Sequence, residues 1–348
     1  MYSQNTKVCR RSFLKLAGSA SVVGTLLTQI TPELAYAATL PHVQHLPISP
    51  SAYSPSRLLF YDRTAGHSET YMLDSSGSLH FLHNYNNWRT SWNSIVSGNF
   101  SYTGNTGFLL YDRSVGEGEF EFVTPDGQIE YLLSNYGWRT SWDSIVSGNF
   151  FNSPYDQILF YSRNAGYAQA FTTDGYGNIA FVRAFSNFRT SWDIILSGNF
   201  MGNSRDEVLF YDSRAGEAQI NALDSQGTLH LLRRYAGWRH SWDIIVSGNF
   251  TGNRYNDLLF YDQTAGQATL YTLDRYGNLL FVNFYANWRT SWDIIKAIKI
   301  TKNGYDGLLF YDSNAGLGEI YALNANGGLT LLTYYPGWRT SWDEIVVL

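Results

Sequence analysis

Trp88-Arg89-Thr90-Ser91-Trp92 is followed 50 residues later by Trp138-Arg139-Thr140-Ser141-Trp142, and the same pattern returns at 188, 238, 288 and 338 without an insertion. The copies differ only by Phe188 in place of the first Trp and His240 in place of Thr. Unbroken register across six copies marks a repeat architecture in which each copy is one structural unit.

Outward from this segment each unit holds four short apolar or alternating runs. In the fifth copy these span residues 294–300, 308–312, 318–323 and 329–335. They are rich in Tyr, Phe, Ile, Val and Leu and bounded by Gly, Asn and Asp, so they read as strands. None is long enough or periodic enough for a helix. Asp74-Ser75-Ser76-Gly77 and its copies at 174, 224 and 274 are hairpin connectors, with Asp capping the turn and Gly taking the positive φ. Four strands per unit make the blade of a propeller, and the fold class expected is an all-β, six-bladed propeller of four-stranded antiparallel blades.

The chain ends support this reading. Blades begun at 88, 138, 188, 238 and 288 leave three N-terminal strands in residues 57–87 and one C-terminal strand in residues 338–348. Pairing the remainders makes the sixth blade, closes the ring and covers both sheet edges. A linear β-solenoid is the rival, but its coils are shorter and need capping repeats.

Residues 1–37 form a separate unit. Lys7, Arg10, Arg11 and Lys15 precede a weakly apolar stretch, and Ala35-Tyr36-Ala37 is a cleavage signal. Arg10-Arg11-Ser12-Phe13-Leu14-Lys15 resembles the twin-arginine export signal, which implies export through that pathway to the periplasm, cell wall or exterior. The stretch is too short and too polar to anchor the chain in a membrane. Cleavage removes the only cysteine, Cys9, excluding disulfide and thiolate chemistry, and takes the formal net charge from −5 to about −8. Such a charge disfavours nucleic acid as a partner. Residues 38–56, with Pro41, Pro47, Pro50 and Pro55, read as an extended leader before a propeller of residues 57–348.

The junction Gly248-Asn249-Phe250-Thr251-Gly252-Asn253-Arg254-Tyr255-Asn256-Asp257 resembles the FG-GAP or VCBS-type repeat of integrin-like and fungal-lectin-like propellers. That resemblance implies a calcium loop held by Asn249, Thr251, Asn253, Asp257 and the Tyr255 carbonyl. The closing position reads Gly107, Gln157, Glu207, Asp257 and Gly307, so a carboxylate stands there in two copies of five. Calcium sites usually gather several carboxylates. The expectation is therefore no cofactor, with calcium admitted only at the Asn249 to Asp257 hairpin.

For function, the side-by-side indole and guanidinium groups Trp88, Arg89, Trp138, Arg139, Arg189, Trp238, Arg239, Trp288, Arg289, Trp338 and Arg339 are suited to stacking on a ligand ring and bonding its hydroxyls. The alternative is structural: the indoles wedge between blades and the Arg pairs with an Asp such as Asp62. Pattern breaks at Ser162, Phe188 and His240 do not combine into an acid–base pair, His80 and His83 do not form a metal pair, and Glu69, Glu119 and Glu319 read as a solvated face. The first expectation is a secreted, non-catalytic, multivalent lectin-like module whose partner is a glycan or cell-surface polymer. The alternatives are a protein-interaction propeller and a polysaccharide hydrolase or lyase, the last using the central funnel and showing carboxylates peculiar to one or two blades.

Overall fold

The structure, a computed structural model, describes residues 56–300 and 305–348. The signal and nearly all of the leader read from the sequence lie outside these residues. The described residues form six four-stranded antiparallel sheets, and none of them is helical. Blade 1 combines Arg57–Asp62, His67–Leu73 and Leu79–Asn86 with the C-terminal Glu344–Val347. Blades 2 to 6 follow as residues 92–136, 144–185, 194–236, 244–285 and 294–336. The strands of the fifth copy are Ile294–Lys299, Asp306–Asp312, Leu317–Leu323 and Leu329–Pro336, within two residues of the runs read from sequence.

The ring closes as expected. Leu58 faces Val347 and Tyr61 faces Glu344 in antiparallel register. The innermost strand Glu344–Val347 also lies against its counterparts on both sides, Ile294–Lys299 and Trp92–Gly98. Rather than ending in a bare edge, the C-terminal strand is therefore the inner edge of blade 1.

Burial follows the order of strands in a blade. The second strand, Leu-Phe-Tyr-Asp in most copies, is buried at every residue in five of the six blades because neighbouring blades cover both of its faces. The third strand alternates, and the outermost is largely exposed, with Phe81, Tyr131, Phe181 and Phe281 more than half exposed. Every outermost strand carries a register shift, in blade 1 between Phe81 and His83. The extra residue is Leu82 there, and it packs where a side chain on Gly127 of the next blade would stand. Gly127 has φ +90°, so the turn's geometry and this contact both require glycine.

Candidate functional site

The Trp-Arg segments sit between blades and are fixed to both. Tyr61 of blade 1 donates its hydroxyl to the Arg89 carbonyl at 2.7 Å, and Tyr111, Tyr161, Tyr211, Tyr261 and Tyr311 repeat the bond at their own junctions. On the other side Arg89 reaches Asp112 of blade 2 at 3.3 Å and Glu117 at 2.5 Å, while Ser91 donates to the same Asp112. Arg189 pairs with Asp212, Arg239 with Asp262, Arg289 with Asp312, and Arg339 with Asp62. In five segments the second Trp packs on the Phe of the second strand, as Trp342 does on Phe60 at 5.5 Å, the blade 2 counterpart of that Phe being Leu110, and each Arg lies over its second Trp. These are the inter-blade contacts that the structural alternative read from the sequence calls for.

What they leave open is a set of narrow clefts. Trp338, Arg339 and Trp342 line one of about 300 Å³ with Phe60, Glu69 and Tyr71. Glu319 lines the matching cleft beside Trp288. Glu69 and Glu319 are therefore cleft groups rather than a solvated face: Glu69 accepts from the Tyr71 hydroxyl and touches His67 at 2.9 Å, and Glu319 accepts from Tyr321 at 2.7 Å. Glu119 stands beside Glu121, a residue peculiar to blade 2, whose carboxyl is pushed upward by burial and by the neighbouring carboxylate.

The second region is the axis of the ring, where all six innermost strands line a cavity of about 740 Å³. Most of its wall is repetitive. One column of these strands reads Ser94, Ser144, Ile194, Ile244, Ile294 and Glu344, of which Ser94, Ile294 and Glu344 line the cavity, and another, Val96, Val146, Leu196, Val246, Lys296 and Val346, lines it throughout. Serine hydroxyls lace adjacent strands, Ser147 to the Ser97 carbonyl at 2.5 Å and Ser197 to the Ser147 carbonyl at 2.6 Å.

Lys296 and Glu344 break these columns on neighbouring strands. Glu344 accepts from the Ile95 amide at 3.1 Å, and burial pushes its carboxyl up to about 7, against the pull of the Lys296 charge. Burial lowers Lys296 in turn, with Glu344 opposing. The two are close enough to feel each other's field, yet they are not in ion-pair contact, and among the described residues the Lys296 ammonium makes no hydrogen bond. At the other end of the cavity Asp156 and Asp206, both raised by burial, accept from the Asn99 amide at 2.7 Å and the Asn149 amide at 2.8 Å. These aspartates clamp neighbouring blades.

The sequence reading weighed the breaks at Ser162, Phe188 and His240 and passed over Lys296 and Glu344. Lys296 and Glu344 lie 48 positions apart and belong to different blades, so neither break points to the other until the blades are packed together. A column-by-column comparison of the innermost strands would have exposed both.

In the Asn249 to Asp257 hairpin, Asp257 accepts from the Thr251 amide at 2.7 Å and hydroxyl at 3.1 Å, and Asn253 donates to Thr272 at 2.7 Å. Among the described residues no three His, Cys, Asp or Glu side chains group into a metal site.

No family model and no curated protein matches the chain. Solved structures do. Periplasmic gluconolactonase of Pseudomonas aeruginosa is similar at 13% identity with TM-score 0.53, covering 85% of this chain and 99% of its own. A proposed 6-phosphogluconolactonase of Bacteroides fragilis gives 12% identity and TM-score 0.52, over 86% and 100%. A protein from Lactobacillus plantarum gives 11% and 0.53, over 84% and 99%. At such identities the likeness establishes the fold, and none of these structures is described as an FG-GAP protein. The expectation of a non-catalytic lectin-like module is corrected: relatives in fold include proteins named as gluconolactonases, and the Trp-Arg segments that motivated it hold the blades together. Among the described residues no helix is long and apolar enough to cross a membrane.

Proposed function

We propose that the axial cavity is the active site of a hydrolase that opens small cyclic esters, such as sugar lactones. The observation that carries this reading is the pair Lys296 and Glu344, an ammonium and a carboxyl near neutrality facing one cavity from adjacent strands. The names of two structural neighbours supply the substrate class.

Lactone opening needs a base for water and a positive group for the oxyanion. Glu344 as carboxylate takes a proton from water, and the resulting hydroxide oxygen adds to the carbonyl carbon. Lys296 stands beside the carbonyl oxygen and stabilises its developing charge. Collapse of the adduct breaks the ring carbon–oxygen bond, and Glu344 returns its proton to the departing alkoxide. The product is the open-chain hydroxy acid. A carboxyl titrating at about 7 suits both steps, since a group near the working pH both accepts and returns a proton readily. Lys296 makes no ion pair, so its amino group is available to a substrate oxygen, and the Glu344 carboxylate opposes the lowering of its pKa by burial.

The twin-arginine leader would deliver this activity outside the cytoplasm. The Gly-Asn-Phe hairpins would be FG-GAP-type turns, a reading supported by their motif alone.

Acid release from glucono-1,5-lactone above the spontaneous rate tests the proposal, together with Glu344→Gln and Lys296→Met. The wild type is expected to accelerate opening with kcat/KM rising through about pH 7, and each substitution to remove about 100-fold or more of it. A wild type no faster than buffer, or variants as fast as wild type, would overturn it.

A further inference from the structure

The clefts between blades are not equivalent, and the one that opens onto blade 3 has lost every anionic partner of its arginine. Where the other five blades place a buried Asp at the end of the second strand, blade 3 has Ser162. Ser162 bonds instead to Ser141 at 3.2 Å. The adjoining position, which supplies Glu117, Glu217 and Gln267 to the arginines of other clefts, is Tyr167. Further along the same strand Gln169 stands where Glu69, Glu119 and Glu319 stand elsewhere, and Phe171 replaces Tyr71, Glu121 and Tyr321.

Arg139 is consequently unlike its five counterparts. Each of those forms an ion pair with an Asp. The Arg139 guanidinium makes no ion pair or hydrogen bond among the described residues and rests on rings alone, 4.5 Å from Tyr167 and 5.8 Å from Trp142. Beside it is a cleft of about 280 Å³ walled by Trp138, Trp142, Phe160 and Phe171, with Gln169 as its remaining polar group.

An arginine held on aromatic faces keeps its charge and its fork of donors, and it lacks an acceptor. An apolar pocket floor beside it favours a ligand whose body is a ring and whose end is an anion. We infer that this cleft is a binding site for a small organic acid, with the carboxylate paired to Arg139, the ring among Trp138, Phe160 and Phe171, and Gln169 as a side donor. The five other clefts, whose arginines are already neutralised, do not take it. The inference is independent of the chemistry assigned to the axial cavity.

Titration of the full chain with sodium phenylacetate, followed by calorimetry or by ring-proton shifts of the ligand, tests it. One saturable site in the submillimolar to millimolar range is expected, roughly −4 to −5 kcal/mol. Phenylacetamide, of the same shape without the charge, is expected to bind about 10-fold more weakly or worse. Ser162→Asp restores the missing partner, so it should weaken phenylacetate about 10-fold while leaving the melting temperature equal or higher. Arg139→Gln should weaken it as much. Absence of saturable binding to the wild type, equal binding of acid and amide, or wild-type affinity in both variants would overturn the assignment.

Discussion

The clefts between blades and the cavity on the ring axis are built from one repeat, and they treat departures from it differently. Around the clefts the repeat is nearly invariant because Arg, Asp, Ser and Tyr form a bolt at five of the six junctions, each arginine there pairing with the equivalent Asp. Around the axis the wall needs only small or branched side chains, so a change there costs little structurally and can carry chemistry. Lys296 and Glu344 are changes of that kind. Repetition thus marks what holds the ring, and departure from it marks where a single site can exist. The blade 3 cleft joins both cases, since the loss of an Asp at Ser162 weakens a bolt and frees an arginine.

The largest test of the ring itself is removal of residues 338–348. This takes away the inner strand of blade 1, which pairs with Leu58 to Tyr61, and with it the Arg339 and Ser341 bonds to Asp62. The truncated chain should lose its cooperative melting transition or aggregate through the exposed edge, as read by calorimetry and size-exclusion chromatography. A soluble monomer with unchanged melting would mean that blade 1 stands on three strands.

Next in size is the effect on chemistry of breaking the axial pair. Glu344→Gln should lower lactone opening by about 10²- to 10⁴-fold, the range general acid–base groups supply, without changing the melting temperature by more than a few degrees. Arg239→Ala in the cleft wall should do the reverse. Its pair with Asp262 is partly open to solvent on the arginine side, so a loss of about 1 kcal/mol in stability is expected with lactone opening unchanged. If Arg239→Ala lowered activity as much as Glu344→Gln did, the division between bolt and site would fail.

The last effect is a slope with pH. Glu344 holds its proton more tightly folded, at about 7, than in the unfolded chain, near 4.5. Its contribution to stability is fully present below about pH 4.5 and is lost as the pH rises through about 7, because the folded state binds the extra proton across that window. Glu344→Gln removes the dependence. The difference in melting temperature between variant and wild type should therefore shift in the variant's favour between pH 4.5 and 7, and a difference constant with pH would place the Glu344 carboxyl in an ordinary environment.

Nearly all of the fold is legible in the sequence. The fixed spacing counts the blades, the four apolar runs give the strands, and the remainder of three strands at one end and one at the other gives the closure, because each is a local or periodic property of the chain. The bolting role of the Trp-Arg segment was also legible as one of two readings, and its Asp partner was foreseen in kind. What the sequence left undecided was which reading held, since an indole beside a guanidinium is equally suited to a ligand and to a neighbouring blade. The contacts show the bolt, with Asp112 2% exposed beneath Arg89, while the first indoles, Trp138, Trp288 and Trp338, also line the clefts.

The candidate sites depended on the tertiary structure for a different reason. Glu69 and Glu319 alternate along strands as solvated residues would, and only the approach of the preceding blade turns that face into a cleft. Lys296 and Glu344 are single departures in successive units, and the packing of blade on blade brings their strands side by side. Periodicity fixes what each unit is, but function at an axis or a junction depends on residues contributed by different units, whose distances are set by how the blades pack.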